Sequence, residues 1–257
     1  SPFTGLDINS RKILRKFINL KLSSSTIIII ADIEDAPSCI THVAELENGK
    51  LKSLKAFSEF SKYSTNNNQH SIFKGNIPVQ QSNIAFNVAV KLENIFVVYG
   101  DKQILKNINW QINRGEHWLL KGVNGAGKST LISLITGDHP QAYANKIILF
   151  DKMRGSGESI WDIKKKIGYV SPELHWYFDK TISVYNSIAS GFFDTIGVYK
   201  KLNEEQHNIV HEWLLFLNIE LRAQQPLFNL STSQQRLALL ARALVKNQSL
   251  LILDEPC

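Results

Sequence analysis

The spacing of apolar positions changes several times along the chain, and each change predicts an element. After a turn-like Pro2-Phe3-Thr4-Gly5-Leu6-Asp7, the apolar residues Ile13, Leu14, Phe17, Ile18 and Leu20 follow a helical spacing. Residues 26–31 are β-branched and apolar without alternation, which predicts a strand buried on both faces. Residues 40–51 alternate and carry Asn48-Gly49, the signature of a hairpin. Residues 90–99 and 104–112 read as antiparallel strands joined at Gly100-Asp101. Trp118-Leu119-Leu120 reads as a strand, and Leu131, Leu134 and Ile135 follow it at helical spacing. Strands are predicted at 146–150 and 167–170, and helices at 182–188 and 206–217. Leu237, Leu240, Ala241 and Leu244 then form one helical stripe, with Ser231 and Gln234 at capping-box spacing before it. An apolar strand at 250–253 closes the series, and the alternation of strands and helices predicts an α/β protein.

This order lapses between 56 and 88, where polar, turn-rich stretches suggest a linker with local structure around Phe57 and Phe60. At 257 residues the chain has room for one large domain or two smaller ones, and its 44% hydrophobic content suits a soluble protein with a sizeable core. It begins at Ser1, holds one methionine at Met153 and stops just after an apolar strand, so an internal fragment of a longer protein is expected. The longest aliphatic run, 27–30, is strand-sized, which excludes a bilayer-spanning helix, and no signal peptide is evident. Cys39 and Cys257 lie far apart and offer no metal spacing, so a reducing, cytoplasmic setting is expected. The net charge of +6 is spread thinly, which favours a Lys-, Asn- and Ile-rich bias over a dedicated nucleic-acid or membrane surface.

The densest chemistry lies in Gly122-Val123-Asn124-Gly125-Ala126-Gly127-Lys128-Ser129-Thr130, which fits G-x-x-x-x-G-K-[ST]. Its glycines keep Cβ atoms away from a ligand, and the helix that follows aims its N-terminus at an anion. In this pattern Lys128 reaches the β- and γ-phosphates and the Ser129 hydroxyl ligates Mg²⁺. The strand at 250–253 ends in Asp254-Glu255. There Asp254 is placed to hold Mg²⁺ and Glu255 to polarise an attacking water.

The phosphate loop, the stretch Leu230-Ser231-Thr232-Ser233-Gln234-Gln235-Arg236 and the strand ending in Asp254-Glu255 resemble the ATP-binding-cassette ATPases in order and spacing. The resemblance implies a P-loop NTPase of that type, with a mostly parallel central sheet, an antiparallel β subdomain and a helical subdomain. It implies ATP and Mg²⁺ as cofactors and ATP hydrolysis as the activity. Tyr99 matches the aromatic residue that stacks on adenine, and Ser231 belongs to the signature that meets nucleotide held by an opposite cassette. The segment 167–174 and the helix after 235 are most similar to tandem cassettes of the molybdenum-transport or photorepair subgroup.

The same resemblance extends to the N-terminal part. Residues 2–7 look like the segment after a cassette's Asp-Glu, with Asp7 in its aspartate loop, and 40–51 like its terminal hairpin. Residues 1–55 are therefore expected to be the tail of a first cassette, 56–88 a linker, and 89–257 a second cassette truncated after its Asp-Glu strand. The second cassette would then lack the strand between its Asp-Glu and phosphate-loop strands, and 26–31 is the equivalent strand, free to dock in that gap.

Three positions depart from the family pattern. Thr232 and Ser233 stand where the signature carries glycines, Asp32 stands at the switch histidine, and Pro172-Glu173 replaces a glutamine that reaches Mg²⁺. Glu173 is a candidate substitute ligand. In a head-to-tail sandwich the first two departures fall on one composite site, which implies one active and one impaired site. The implied partner is the second cassette of the same chain, with three roles left open. These are the energy-coupling subunit of a membrane permease at the cytoplasmic face, with molybdate a candidate cargo; a cytosolic ATPase acting on nucleic acid or ribosomes; and a regulatory module with little hydrolysis.

Overall fold

The computed structural model describes residues 25–31, 36–37, 39–60, 85–246 and 248–254. Three strands precede the long hairpin: β1 (Thr26–Ile30), β2 (His42–Glu47) and β3 (Lys50–Ala56). The hairpin is β4 (Val88–Tyr99) and β5 (Lys102–Asn113), and β6 (His117–Lys121) leads into helix α1 (Lys128–Thr136). Strands β7 (Lys146–Leu149) and β8 (Lys152–Met153), helix α2 (Ile160–Lys164) and strand β9 (Ile167–Val170) follow. The remainder is helical, α3 (Pro172–Tyr177), α4 (Val184–Ala189), α5 (Glu204–Phe216) and α6 (Thr232–Leu244), before β10 (Leu250–Asp254).

The principal sheet runs β3-β2-β6-β1-β10-β9, and a second, antiparallel sheet runs β5-β4-β7-β8. The first strand of the described chain is thus an inner strand, between the strand that feeds the phosphate loop and the strand that ends in Asp254. It pairs parallel with both, Ile28 lying opposite Trp118 on one side and Ile252 on the other. Its start is tied at both edges: Thr26 N–H donates to the Ser249 carbonyl (3.0 Å) and Ile27 N–H to the Glu116 carbonyl (3.2 Å). The docking expected of 26–31 is what the structure contains.

The unbroken run of isoleucine has a simple cause. Ile27 and Ile29 enter the core shared with α4, α5 and α6, whereas Ile28 and Ile30 enter the core shared with α1 and the antiparallel sheet. Successive strand residues point to opposite faces, so a strand covered on both needs apolar residues at every position. All four are at most 1% exposed, each contributing roughly 2 kcal/mol of transfer free energy.

The hairpin at 40–51 forms as read, with Asn48 (φ 49°) and Gly49 (φ 77°) in its turn, and extends to Ala56. A 3-10 turn at Phe57–Phe60 follows it. Helix α4 begins at Val184 rather than 182 because Ser183 caps it, its Oγ accepting the Asn186 N–H (3.2 Å). Helix α5 begins at Glu204 because Asn203 and Gln206 form a capping box. The short α2, capped by Ser159, carries too few turns for a periodic signal. Helix α6 is buried on nearly every side, not along one stripe, since Ala238, Leu239, Arg242 and Ala243 are buried as well. It lies between the sheet and α4, and the buried Arg242 is bound there by the Ser190 hydroxyl (3.0 Å) and the Thr195 carbonyl (3.1 Å). The helical pattern predicted over 13–20 lies outside the described residues.

Candidate functional site

Strands β6, β1, β10 and β9 are parallel, so their C-terminal ends open on one edge of the sheet. In open α/β sheets that edge is where ligands bind. The loop 122–127 leaves β6 there, and Asp254 ends β10 in register with Ile30. Ser171 and α3 follow β9 on the same edge.

The phosphate loop is built against its surroundings as closely as backbone permits. A Cβ on Gly122 would lie 2.3 Å from the Leu46 carbonyl oxygen, and one on Gly127 would lie 2.8 Å from Leu105 Cδ2. Gly125 (φ 79°) and Gly127 (φ 102°) are left-handed, a region that side chains enter at a cost. Gly127 caps α1 without any side-chain hydrogen bond, so the first N–H groups of the helix are presented at the loop. Lys128 Nζ donates back to the carbonyls of Gly122 (2.7 Å) and Val123 (3.3 Å), which holds its charge at the loop. Val123, Asn124 and Gly125 are exposed, and Ser129 and Thr130 occupy the first turn of α1. Ala126 is buried, and its carbonyl accepts the Gly49 N–H (3.2 Å). Gly49 in turn accepts from Lys106 N–H (2.8 Å), so the hairpin turn is a wall of the loop. The sequence signals Asn48-Gly49 only as a turn, and its place beside the loop depends on the pairing of β2 with β6.

Asp254 is 8% exposed. Beside it, Tyr169 on β9 is held protonated above its ordinary range, first by burial, then by the negative charges of Asp254 and, more weakly, Glu173. The two carboxylates among the candidate magnesium ligands thus both act on the Tyr169 hydroxyl. Glu173 is exposed in the first turn of α3, a helix capped by Ser171 through the Leu174 N–H (3.3 Å), so 172–173 is helical.

Ser231 stands at the head of α6, bonded to its own helix: its Oγ accepts the Gln234 N–H (3.3 Å), and Gln234 Oε1 accepts the Ser231 N–H (3.2 Å). Thr232 is exposed beside it. Gln235, buried, donates to the Leu230 carbonyl (2.8 Å) and fixes the approach to the cap. Tyr99 is 53% exposed at the tip of the β4–β5 hairpin, with its hydroxyl 2.8 Å from His139 Nε2. Val97, two residues earlier, pairs with Leu105, whose side chain faces Gly127. Glu255, Asp7 and Asp32 lie outside the described residues.

The residues present fit a nucleotide triphosphate and a hard cation. A glycine cradle that a Cβ would fill, uncapped helix amides and an ammonium suit phosphates. A hydroxyl and carboxylates are the oxygen donors Mg²⁺ takes.

The family model described as ABC transporter matches residues 105–257. The ABC transporter ATP-binding protein ModF of Escherichia coli is 42% identical over 267 residues, an alignment covering 99% of this chain and 54% of ModF. An ABC transporter ATP-binding protein of Schizosaccharomyces pombe is 32% identical, over 99% of this chain and 53% of its own. The chain thus spans about half the length of these relatives. Among solved structures, cbiO1 of Clostridium perfringens, part of the ABC transporter complex cbiONQ, superposes with a TM-score of 0.53 at 28% identity, over 65% of each chain. With the matched region holding the phosphate loop, the signature helix and the Asp254 strand, the chain belongs to the ABC transporter family and has its ATPase cassette fold.

Proposed function

We propose that this chain binds Mg-ATP at the loop 122–130 and hydrolyses it, as part of a tandem ATP-binding-cassette protein. The observation that carries the reading is the glycine cradle at the C-terminal edge of the sheet, with Lys128 held at its mouth and Asp254 ending a strand of the same edge. Backbone amides of 125–129 and the Lys128 ammonium would hold the phosphates and stabilise the charge that moves during transfer. Ser129 and Asp254 would hold Mg²⁺, with Glu173 as a further oxygen donor. When bound, that ion neutralises charge on the β- and γ-phosphates. Glu255 would orient water for in-line attack, Tyr99 would stack on the base, and the Asp7 loop would border the site.

Residues 1–55 are read as the tail of a first cassette, 56–88 as a linker and 89–257 as the second. Two facts support this. The family model begins at 105, yet the sheet it needs is completed by strands from before that point. ModF, aligned along nearly the whole chain, is about twice as long. The partner is then a second cassette on the same polypeptide, closing head to tail around ATP. The names of the relatives favour energy coupling to a membrane permease, with the protein at the cytoplasmic face. Among the described residues no helix is long and apolar enough to cross a membrane.

A regulatory reading with slow turnover has its own support. Thr232 and Ser233 put side chains where the helix N-terminus must approach nucleotide held by the other cassette. Steady-state Mg-ATP hydrolysis by the full-length protein, beside Glu255→Gln, separates the two. Turnover that disappears in the variant supports the ATPase reading, whereas tight binding without turnover in either protein supports the regulatory one.

A further inference from the structure

Strand β7 pairs with β4 only from Val90 to Glu93. Beyond that point the same edge of β4 is held by side chains of 139–145, a 3-10 turn with its flanks. Asn145 binds Phe96 on both sides, accepting its N–H (2.9 Å) and donating to its carbonyl (3.0 Å). Gln141 does the same for Val98, accepting at 3.2 Å and donating at 2.6 Å. His139 then meets the Tyr99 hydroxyl at 2.8 Å. Two side-chain amides thus continue the ladder that a strand would make, and an imidazole completes it at the aromatic ring.

The tautomer of His139 follows from its other bond. Nδ1 accepts the Gln141 N–H (3.0 Å), so the neutral ring carries its proton on Nε2 and donates to the Tyr99 oxygen. His139 is buried while the Tyr99 ring is half open to solvent, so a fixed group orients an accessible one. The clamp also begins where α1 ends, since His139 N–H donates to the Ser133 carbonyl (3.1 Å). One continuous piece, Lys128 to Asn145, therefore starts at the phosphate loop and ends by gripping the Tyr99 segment.

We propose that His139, with Gln141 and Asn145, is a positioning residue that sets the Tyr99 ring at a fixed distance from the phosphate loop. The clamp thereby selects ligands that carry both a base and a triphosphate. This rests on the reading of Tyr99 as the base platform. An unclamped ring would have to be ordered at the moment of binding, which weakens association without touching the phosphate contacts.

Calorimetry on the full-length protein tests it, with ATP and inorganic tripolyphosphate as probes. Tyr99→Ala should weaken ATP binding about tenfold, the loss of one stacked base. Tyr99→Phe and His139→Ala should each weaken it about threefold to tenfold, the range of one hydrogen bond, and the double variant should be no worse than either single one. Tripolyphosphate affinity should be unchanged throughout. ATP affinity that falls with Tyr99→Ala but not with Tyr99→Phe or His139→Ala overturns the clamp and leaves the platform standing. Unchanged affinity in Tyr99→Ala overturns the platform, and the clamp with it. Equal losses for ATP and tripolyphosphate would mean general damage and also overturn the clamp. Tyr99→Phe keeps the half-exposed ring and removes only the hydroxyl, so it carries the test if His139→Ala does not fold.

Discussion

Gly127 shows how little space the phosphate loop leaves. Its φ of 102° and the 2.8 Å approach to Leu105 Cδ2 mean that a methyl group strains the backbone and pushes on a packed leucine at once. Gly127→Ala is expected to cost about 1–3 kcal/mol of stability and to weaken ATP binding, measured by urea denaturation and calorimetry. Cys39 illustrates the opposite effect, chemistry suppressed by surroundings. Burial pushes its thiol up to about 11, so little thiolate exists near neutrality. Ellman's reagent at pH 8 should react with it slowly in the folded protein and fast in denaturant. Glu93 is set by partners: hydrogen bonds from Lys146 and then Lys91 hold its carboxyl down to about 2, against an ordinary 4.5. The folded state therefore favours the carboxylate. Its contribution is present above pH 4.5 and is lost as the pH falls toward 2. A carboxyl-carbon NMR titration should show that low midpoint, and Lys146→Ala should raise it.

Among the elements, β1 makes the sharpest prediction. Its amides pair on both sides and its side chains fill both cores, so residues 27–30 should exchange with deuterium only on global unfolding. Ile28→Ala should destabilise the chain by about 2–5 kcal/mol, read from denaturant midpoints. That this segment is a strand buried on both faces was legible in residues 26–31, because an apolar, mostly β-branched run without polar alternation has few other uses. The start of α6 was legible for a similar reason. The Ser231–Gln234 box is a local bonding pattern, and Ser231→Ala should cost about 1 kcal/mol. Helix α2 was not legible, since a five-residue helix has too little periodicity to register. Nor was the burial of α6 on most of its surface, which depends on α4 lying over it.

At the scale of the whole molecule, the sheet order makes β1 and β2 part of the same two cores as β6, β10 and the helices that follow. Without those two strands β6 and β10 would face each other across an empty position, each with an unpaired edge. Near-ultraviolet circular dichroism should follow a cooperative thermal transition in the longer chain and none in a chain starting at residue 85.

The division between sequence and structure follows from range. The loop at 122–130, the strand that ends at Asp254, the signature cap and the strand character of 26–30 depend on residues within a few positions of one another. Each was therefore determined by the sequence itself, and the resemblance built on them held at the level of the family. Which strands lie side by side depends on pairings across more than two hundred residues, such as Thr26 with Leu250. The supports of the site also join positions well separated in the chain: Gly49 against Ala126, Leu46 against Gly122, and the grip of Asn145, Gln141 and His139 on the edge of β4. Those contacts use ordinary side chains and plain backbone in no marked pattern. Only the tertiary structure, by bringing distant backbone to hydrogen-bonding distance, decided them.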